Sequence, residues 1–323
     1  MILTGDRFNN LRSLLSSPET SESNFHRREK HLKSCLAGTC EWLLDHPDFV
    51  SWSSGTSSSP VLWLHGPPGS GKSTLCSSIS HILSSRLDTV AFHFCDFAQQ
   101  YKPFEVLRML ALQLLCKHWT DSHDIPQELC DVAQATPSVL ENVQNMIKVL
   151  VKDQPKVYFL LDGLDEETTG ERWKDTAAVL QFLIQLTNDF PTKVRVWCSS
   201  QPRPLIKKEL ENYPDLDISA HVKKDIAFYL SQAIPEAEEL EPLDQEIFLR
   251  NLHERAECSF LWASLMISEL QGSPTSLREM KQFIERGLPS SLLDYYSLFF
   301  RRLKKSLRPL AWYVCAHMDF RKS

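Results

Sequence analysis

Two stretches of this chain carry residue types and spacings that could do chemistry together. The first, Gly66-Pro-Pro-Gly-Ser-Gly-Lys-Ser73, fits G-x-x-x-x-G-K-[ST] without a mismatch and is followed by Thr74. Gly66, Gly69 and Gly71, with Pro67, Pro68 and Ser70 between them, allow a tight turn whose backbone N–H groups point inward at a phosphate. Lys72 supplies a point charge for the β- and γ-phosphates, and the Ser73 hydroxyl is placed to ligate Mg²⁺. The second stretch runs from Val157 to Glu167 and reads Val-Tyr-Phe-Leu-Leu-Asp-Gly-Leu-Asp-Glu-Glu. Asp162 ends an apolar run and can complete a Mg²⁺ shell. Asp165 and Glu166 can orient and deprotonate an attacking water. Taken alone, Asp165, Glu166 and Glu167 fit a solvated acidic turn better than a catalytic group; beside a phosphate loop and after this strand the catalytic reading is the better one. The expected ligands are Mg²⁺ with ATP or GTP. The Asn/Thr-Lys-x-Asp guanine motif is lacking, which weakens the case for GTP and leaves the base open.

These residues need a strand before the phosphate loop and a helix after it. Val61–Leu64 is a short apolar run suited to a buried strand, and a helical pattern opens near Lys72 and runs toward Leu83. That helix would add its dipole to the loop's amides. Further strands are expected at Thr89–Phe97, Lys156–Asp162, Lys193–Ser199 and Leu216–Val222. Helical spacing marks Pro103–Trp119, Pro137–Lys152, Asp175–Asn188 and Pro204–Glu211. Strands alternating with helices predict an α/β fold, a doubly wound parallel sheet covered on both faces. After Val222 the strand patterns stop, and Lys224–Ala233, Asp244–Ala256, Phe260–Leu270 and Ser276–Arg286 read as helices. At the other end, Ser-Leu-Leu-Ser-Ser-Pro-Glu-Thr-Ser-Glu-Ser lies in a polar, charged segment that reads as a tether over residues 1–34.

The chain has 323 residues, 42% hydrophobic and 24% charged, which is ordinary for a globular protein. A net charge of −6 leaves no electrostatic footprint for nucleic acid. No apolar run approaches the ~20 residues of a membrane span, and the start does not read as a signal peptide. Nine cysteines are scattered without a C-x-x-C pair, as expected of reduced structural thiols in a cytoplasmic protein.

The loop Gly-Pro-Pro-Gly-Ser-Gly-Lys-Ser-Thr and the segment Phe-Leu-Leu-Asp-Gly-Leu-Asp-Glu resemble the NACHT branch of the STAND signal-transduction NTPases. Ala37-Gly-Thr-Cys-Glu-Trp-Leu43, Leu62-Trp-Leu-His-Gly66, Phe260-Leu-Trp-Ala263 and Leu310-Ala-Trp-Tyr-Val-Cys-Ala316 are similar to the nucleotide-binding modules of fungal NLR-like proteins and their nephrocystin-like relatives. The resemblance covers roughly residues 35 to 316. It implies an AAA+-like sheet, in which the sensor strand lies between the two motif strands, over residues 35–222. A helical lid over 223–289 and the start of a winged-helix domain over 290–323 would follow. It also implies slow hydrolysis, self-association through the NTPase domain, and effector and repeat domains in the full-length protein. The activity implied is that of a signalling switch in innate-immunity or heterokaryon-incompatibility receptors. A remodelling or metabolic ATPase, a kinase, and a degenerate interaction scaffold are the other readings. By the same resemblance Thr39 is a candidate near the base, its alternative being an ordinary helix-capping threonine. The family's sensor arginine after the fourth strand is replaced by Gln201, so Arg203 is the nearby candidate to touch the γ-phosphate. The lid's G-x-P segment has no counterpart at Ser259-Phe-Leu-Trp262. Gly287-Leu-Pro289 and His317-Met-Asp319 match family motifs only as strings.

Overall fold

The computed structural model describes residues 2–16, 18–86, 88–96, 102–167, 171–233 and 242–272. The chain opens with helices α1 (Ile2–Leu15) and α2 (Pro18–Ser34), a 3-10 turn at Glu41–Leu43, and α3 (Pro47–Ser54). Strand β1 (Val61–His65) leads through the phosphate loop into α4 (Lys72–Ser85), then β2 (Thr89–Phe94) and α5 (Pro103–Ser122). Next come α6 (Gln127–Val132), α7 (Val139–Lys152), β3 (Val157–Asp162), a 3-10 turn at Leu164–Glu167, and α8 (Glu171–Asp189). The chain continues through β4 (Val194–Ser200), α9 (Pro204–Leu210) and β5 (Asp215–Asp217). Helices α10 (Ser219–Ala233), α11 (Pro242–Ala256) and α12 (Phe260–Gly272) close the described part.

The near-continuous apolar runs become strands buried on both faces, as a helix-covered parallel sheet requires: every residue of β3 and β4 is buried. The sheet order is β2-β3-β4-β1-β5 and all pairings are parallel. Strand β4 thus lies between the two motif strands, as the resemblance implies. The register brings Asp162 opposite Ser199 and His65 opposite Ser200, so the functional stretches leave the sheet at one edge. Helix α4 buries Leu75, Cys76, Ile79 and Leu83 at helical spacing, and α5 opens on Pro103 at its first turn. The described cysteines are free thiols.

Two expectations fail. Residues 2–34 are not a tether but two helices, because the sparse apolar positions fall on one face: Leu11 and Leu15 enter the sheet's core. Asn24 does more. Its side-chain amide donates to the Phe92 carbonyl (2.8 Å) and accepts the Phe94 N–H (2.9 Å), pairing the outward edge of β2. Gln113 of α5 makes the same double contact with Phe92 (3.0 and 2.9 Å). An unpaired edge strand is thereby closed by two amides. The second failure is the fifth strand. It ends at Asp217, and Val222 joins Ile226 and Leu230 as the buried face of α10, a spacing of four that fits a helix and not a strand.

The described chain forms two units, residues 1–66 with 72–218, and residues 67–71 with 219 onward. In the second, α10, α11 and α12 bury Ile226, Leu230, Phe248, Leu252, Trp262 and Met266, and the His253 ring bonds the Lys223 carbonyl at 2.9 Å. Ser259 caps α12 by accepting the Trp262 N–H (3.1 Å). Within this unit the Leu261 N–H donates to the Gly69 carbonyl (3.3 Å). The expected helix 276–286, the strings at 287–289, 310–316 and 317–319, and the winged-helix start at 290–323 lie outside the described residues. Among the described residues no helix is long and apolar enough to cross a membrane.

Candidate functional site

The phosphate loop leaves β1 at Gly66, whose N–H donates to Ser200 O at the end of β4 (3.3 Å). Gly69 and Gly71 take φ of 74° and 90°, left-handed conformations that a side chain would strain. Ser70 bonds back to the Pro67 carbonyl (2.8 Å), which holds the turn closed between the Pro67-Pro68 pair and α4. Lys72 opens α4, followed by Ser73 and Thr74 in its first turn. The Lys72 ammonium donates to Gly66 O (3.0 Å). Burial lowers its pKa, and Asp165, Asp162 and Glu166 act in the opposite direction. The lysine of one motif is therefore held among the carboxylates of the other.

Asp162 is 4% exposed. The Ser199 hydroxyl donates to its Oδ1, and the Ser73 hydroxyl is a second hydrogen-bond partner. Burial raises the Asp162 pKa; the two hydroxyls, then His31 and Lys72, counter it. Next, Gly163 at φ 74° turns the chain, and its N–H donates to Ser199 O (2.9 Å). A Cβ there would sit 3.4 Å from Glu166 Cγ and 3.6 Å from Cys95 O, so the turn packs Glu166 and the end of β2 around a residue without a side chain.

The two acidic candidates then separate. Asp165 accepts the Gln201 N–H through Oδ1 (2.9 Å), tying the turn after β3 to the end of β4. Glu166 keeps solvent access, yet the protein packed on its other side hinders its ionisation. Together with Asp165, Asp162 and Asp96, and against the pull of Lys72, this raises its pKa to about 7. A carboxyl poised there can exchange a proton with water near neutral pH.

The contacts of the remaining candidates, Arg203 and Thr39, are local ones. Arg203 is the N-cap of α9, with extended φ/ψ of −74° and 147° before Pro204; its carbonyl accepts the Lys207 N–H (2.9 Å). No ion pair involves it among the described residues. Thr39 is 8% exposed and its hydroxyl donates to the Leu36 carbonyl (2.6 Å), closing a turn ahead of the residue that caps Glu41–Leu43.

Sequence reasoning missed the residues that orient this site. Ser199 braces Asp162, and Ser200 accepts the Trp63 indole N–H (2.8 Å). The signal was a pair of hydroxyls ending a fully buried strand, where each must find a partner. It also missed His31, Arg27 and Asp96. Asn24, Arg27 and His31 recur at three and four residues on α2, one helical face.

Residues 38–201 match the family described as Nephrocystin 3, N-terminal. The Pachytene checkpoint protein 2 homolog of Oryza sativa subsp. indica is 24% identical over 184 residues, 57% of this chain and 33% of that protein. The chain thus spans about a third of that relative's length. Among solved structures, AMPPCP-bound DnaA from Aquifex aeolicus is 14% identical at a TM-score of 0.44, over 87% of this chain and 78% of that one. The ADP form of the Aeropyrum pernix ORC2 protein is 14% identical at a TM-score of 0.43, over 75% and 65%. The sheet order, with an extra strand between the two motif strands, is that of an AAA+-like P-loop nucleotide-binding fold.

Proposed function

We propose, for a chain that belongs to the Nephrocystin 3, N-terminal family, that it is a nucleotide-operated signalling switch of the NACHT type. It binds Mg²⁺ with ATP or GTP, hydrolyses the nucleotide slowly, and couples its state to conformation and self-association. The setting would be an NLR-like receptor bearing effector and repeat domains.

One observation carries this reading: the Ser73 hydroxyl is bonded to Asp162, while Lys72 lies among Asp165, Asp162 and Glu166. A hydroxyl and a carboxylate already in contact are a fitting pair of oxygen ligands for Mg²⁺. The metal would supply charge neutralisation for the phosphates. In the proposed mechanism the amides of the loop and the α4 N-terminus orient the phosphates, and Lys72 adds a cation. Ser199 holds the Asp162 carboxylate in one orientation. Asp165 fixes the turn through Gln201, and Glu166 accepts the proton of the attacking water. With Gln201 at the sensor position, the transition state lacks one cationic contact, which supports slow turnover. The packing of Leu261 on Gly69 supports coupling, because a helix that touches the loop meets different surroundings in different nucleotide states.

Titration of the chain with Mg²⁺–ATP and Mg²⁺–GTP, with phosphate release followed in parallel, tests the reading. Binding of at least one nucleotide with slow release is expected. Failure to bind either would overturn it.

A further inference from the structure

Helix α2 lies ahead of the segment that matches the family, residues 38–201. Its inner face is nonetheless built into the end of the sheet that carries the site. Asn24 pairs the outer edge of β2, and Arg28 donates to the Ser80 hydroxyl of α4 (2.6 Å) while its guanidinium sits 5.3 Å from the Phe92 ring centroid. His31 stacks on Phe94 with ring centroids 6.0 Å apart. Between them, the Arg27 guanidinium bonds Oδ2 of Asp96, two residues beyond β2. The preceding residue, Cys95, donates its N–H to the Asp162 carbonyl (2.9 Å) and flanks Gly163 together with Glu166. Asp96 therefore leaves the sheet beside the turn that carries Glu166.

We propose that Arg27 and Asp96 are positioning residues for Glu166, so that helix α2 sets the charge this carboxyl meets. The inference rests on Glu166 being the base of the proposed reaction. The groups facing Glu166 are Asp165 on its own turn, Asp162 on β3, Asp96 after β2, and Lys72 at the start of α4. Of these, Asp96 is ion-paired with Arg27, and Asp162 interacts electrostatically with His31; both partners are on α2, outside the matched segment. The Asp96 carboxylate favours the protonated form of Glu166, and the Arg27 guanidinium offsets that effect. Withdrawal of α2 would remove the Arg27 charge from beside Asp96 and so favour the protonated form of Glu166, which couples the position of the N-terminal helix to hydrolysis. The pair is partly screened, with the two side chains 32% and 15% exposed, so the effect is a tuning one.

The test is a carboxyl ¹³C NMR titration of the nucleotide-free full chain, with the Glu166 resonance assigned by its loss in Glu166→Gln. Arg27→Gln is expected to raise the Glu166 midpoint by roughly half to one pH unit, and Asp96→Asn to lower it by a similar amount. Arg27→Lys should leave it near the wild-type value. In the Asp96→Asn background, Arg27→Gln should add little. Midpoints that do not move in either single variant, or an Arg27→Gln shift of equal size with and without Asp96, would overturn the proposal. If Arg27→Gln does not fold, Asp96→Asn and Arg27→Lys decide: an unmoved midpoint in Asp96→Asn overturns it. A wild-type chain that hydrolyses no nucleotide would instead overturn the proposed function, since the titration reads the charge coupling without turnover.

Discussion

The ends of β3 and β4 lie side by side in register, and their chemistry is opposite. Strand β3 ends in Asp162 and continues into Asp165 and Glu166, three carboxylates arrayed around Lys72. Strand β4 ends in two buried hydroxyls and continues into neutral Gln201, with the first cation two residues later at a helix cap beside Pro204. In the proposed function, one end holds the metal and moves the proton. The other braces its neighbour: Ser199 bonds Asp162, and the Gln201 amide is held by Asp165. Under the proposed function, this difference would make a site strong in ground-state binding and weak in stabilising charge on the transferred phosphoryl group. Such a site suits holding a state more than rapid cycling.

The comparison can be broken most severely at the residue both ends depend on. Lys72→Ala is expected to abolish nucleotide binding and leave thermal stability unchanged, because the loss of one ammonium creates no core cavity; a binding titration beside a melting curve checks both. Glu166→Gln should retain binding and slow turnover ~10²–10⁴-fold, since an amide cannot accept the water's proton; single-turnover phosphate release measures it. Gln201→Arg should sharpen the contrast from the other side by raising turnover about tenfold or more, while Arg203→Ala leaves the rate unchanged. If Arg203→Ala alone removes activity, the end of β4 does supply the cation and the contrast collapses. The smallest effect belongs to Asp165→Asn. The amide oxygen can still accept the Gln201 N–H, so turnover should change only severalfold. Asp165→Ala leaves that N–H without its acceptor and should cost about 1–2 kcal/mol of stability, read by chemical denaturation.

Both stretches were legible because each motif couples residue type to local geometry. A lysine after closely spaced glycines, or an aspartate ending an apolar run, carries its placement with it. The sheet was legible for the same reason: β1, β3 and β4 are buried on both faces and their runs are nearly continuous. The N-terminal helices were not. Helix α2 is dominated by polar residues, and its attachment is made by Asn24, Arg27 and Arg28, whose partners lie 52 to 70 residues away. No local pattern announces a side chain that will pair a distant strand edge. The fifth strand was misread because Leu216, Ile218 and Val222 combine a period of two with a period of four, and the tertiary pairing of Asp215–Asp217 with β1 decided where one gave way to the other. The division of labour between Asp165 and Glu166 was equally hidden. It depends on the Gln201 N–H reaching one carboxylate and on crowding around the other.

The most direct test of the account is kcat/KM for Mg²⁺–ATP hydrolysis between pH 5 and 9, in wild type, Glu166→Gln and Asp165→Asn. This parameter reports the free protein, where the Glu166 pKa is raised to about 7. The carboxyl is protonated and inactive below that pH and becomes the competent base above it. The account predicts a wild-type rate that climbs through pH 7 and levels off, a similar limb in Asp165→Asn, and a low, flat profile in Glu166→Gln. A Glu166→Gln protein that keeps the wild-type limb, or an Asp165→Asn protein that loses it, would contradict the assignment of Glu166 as the base.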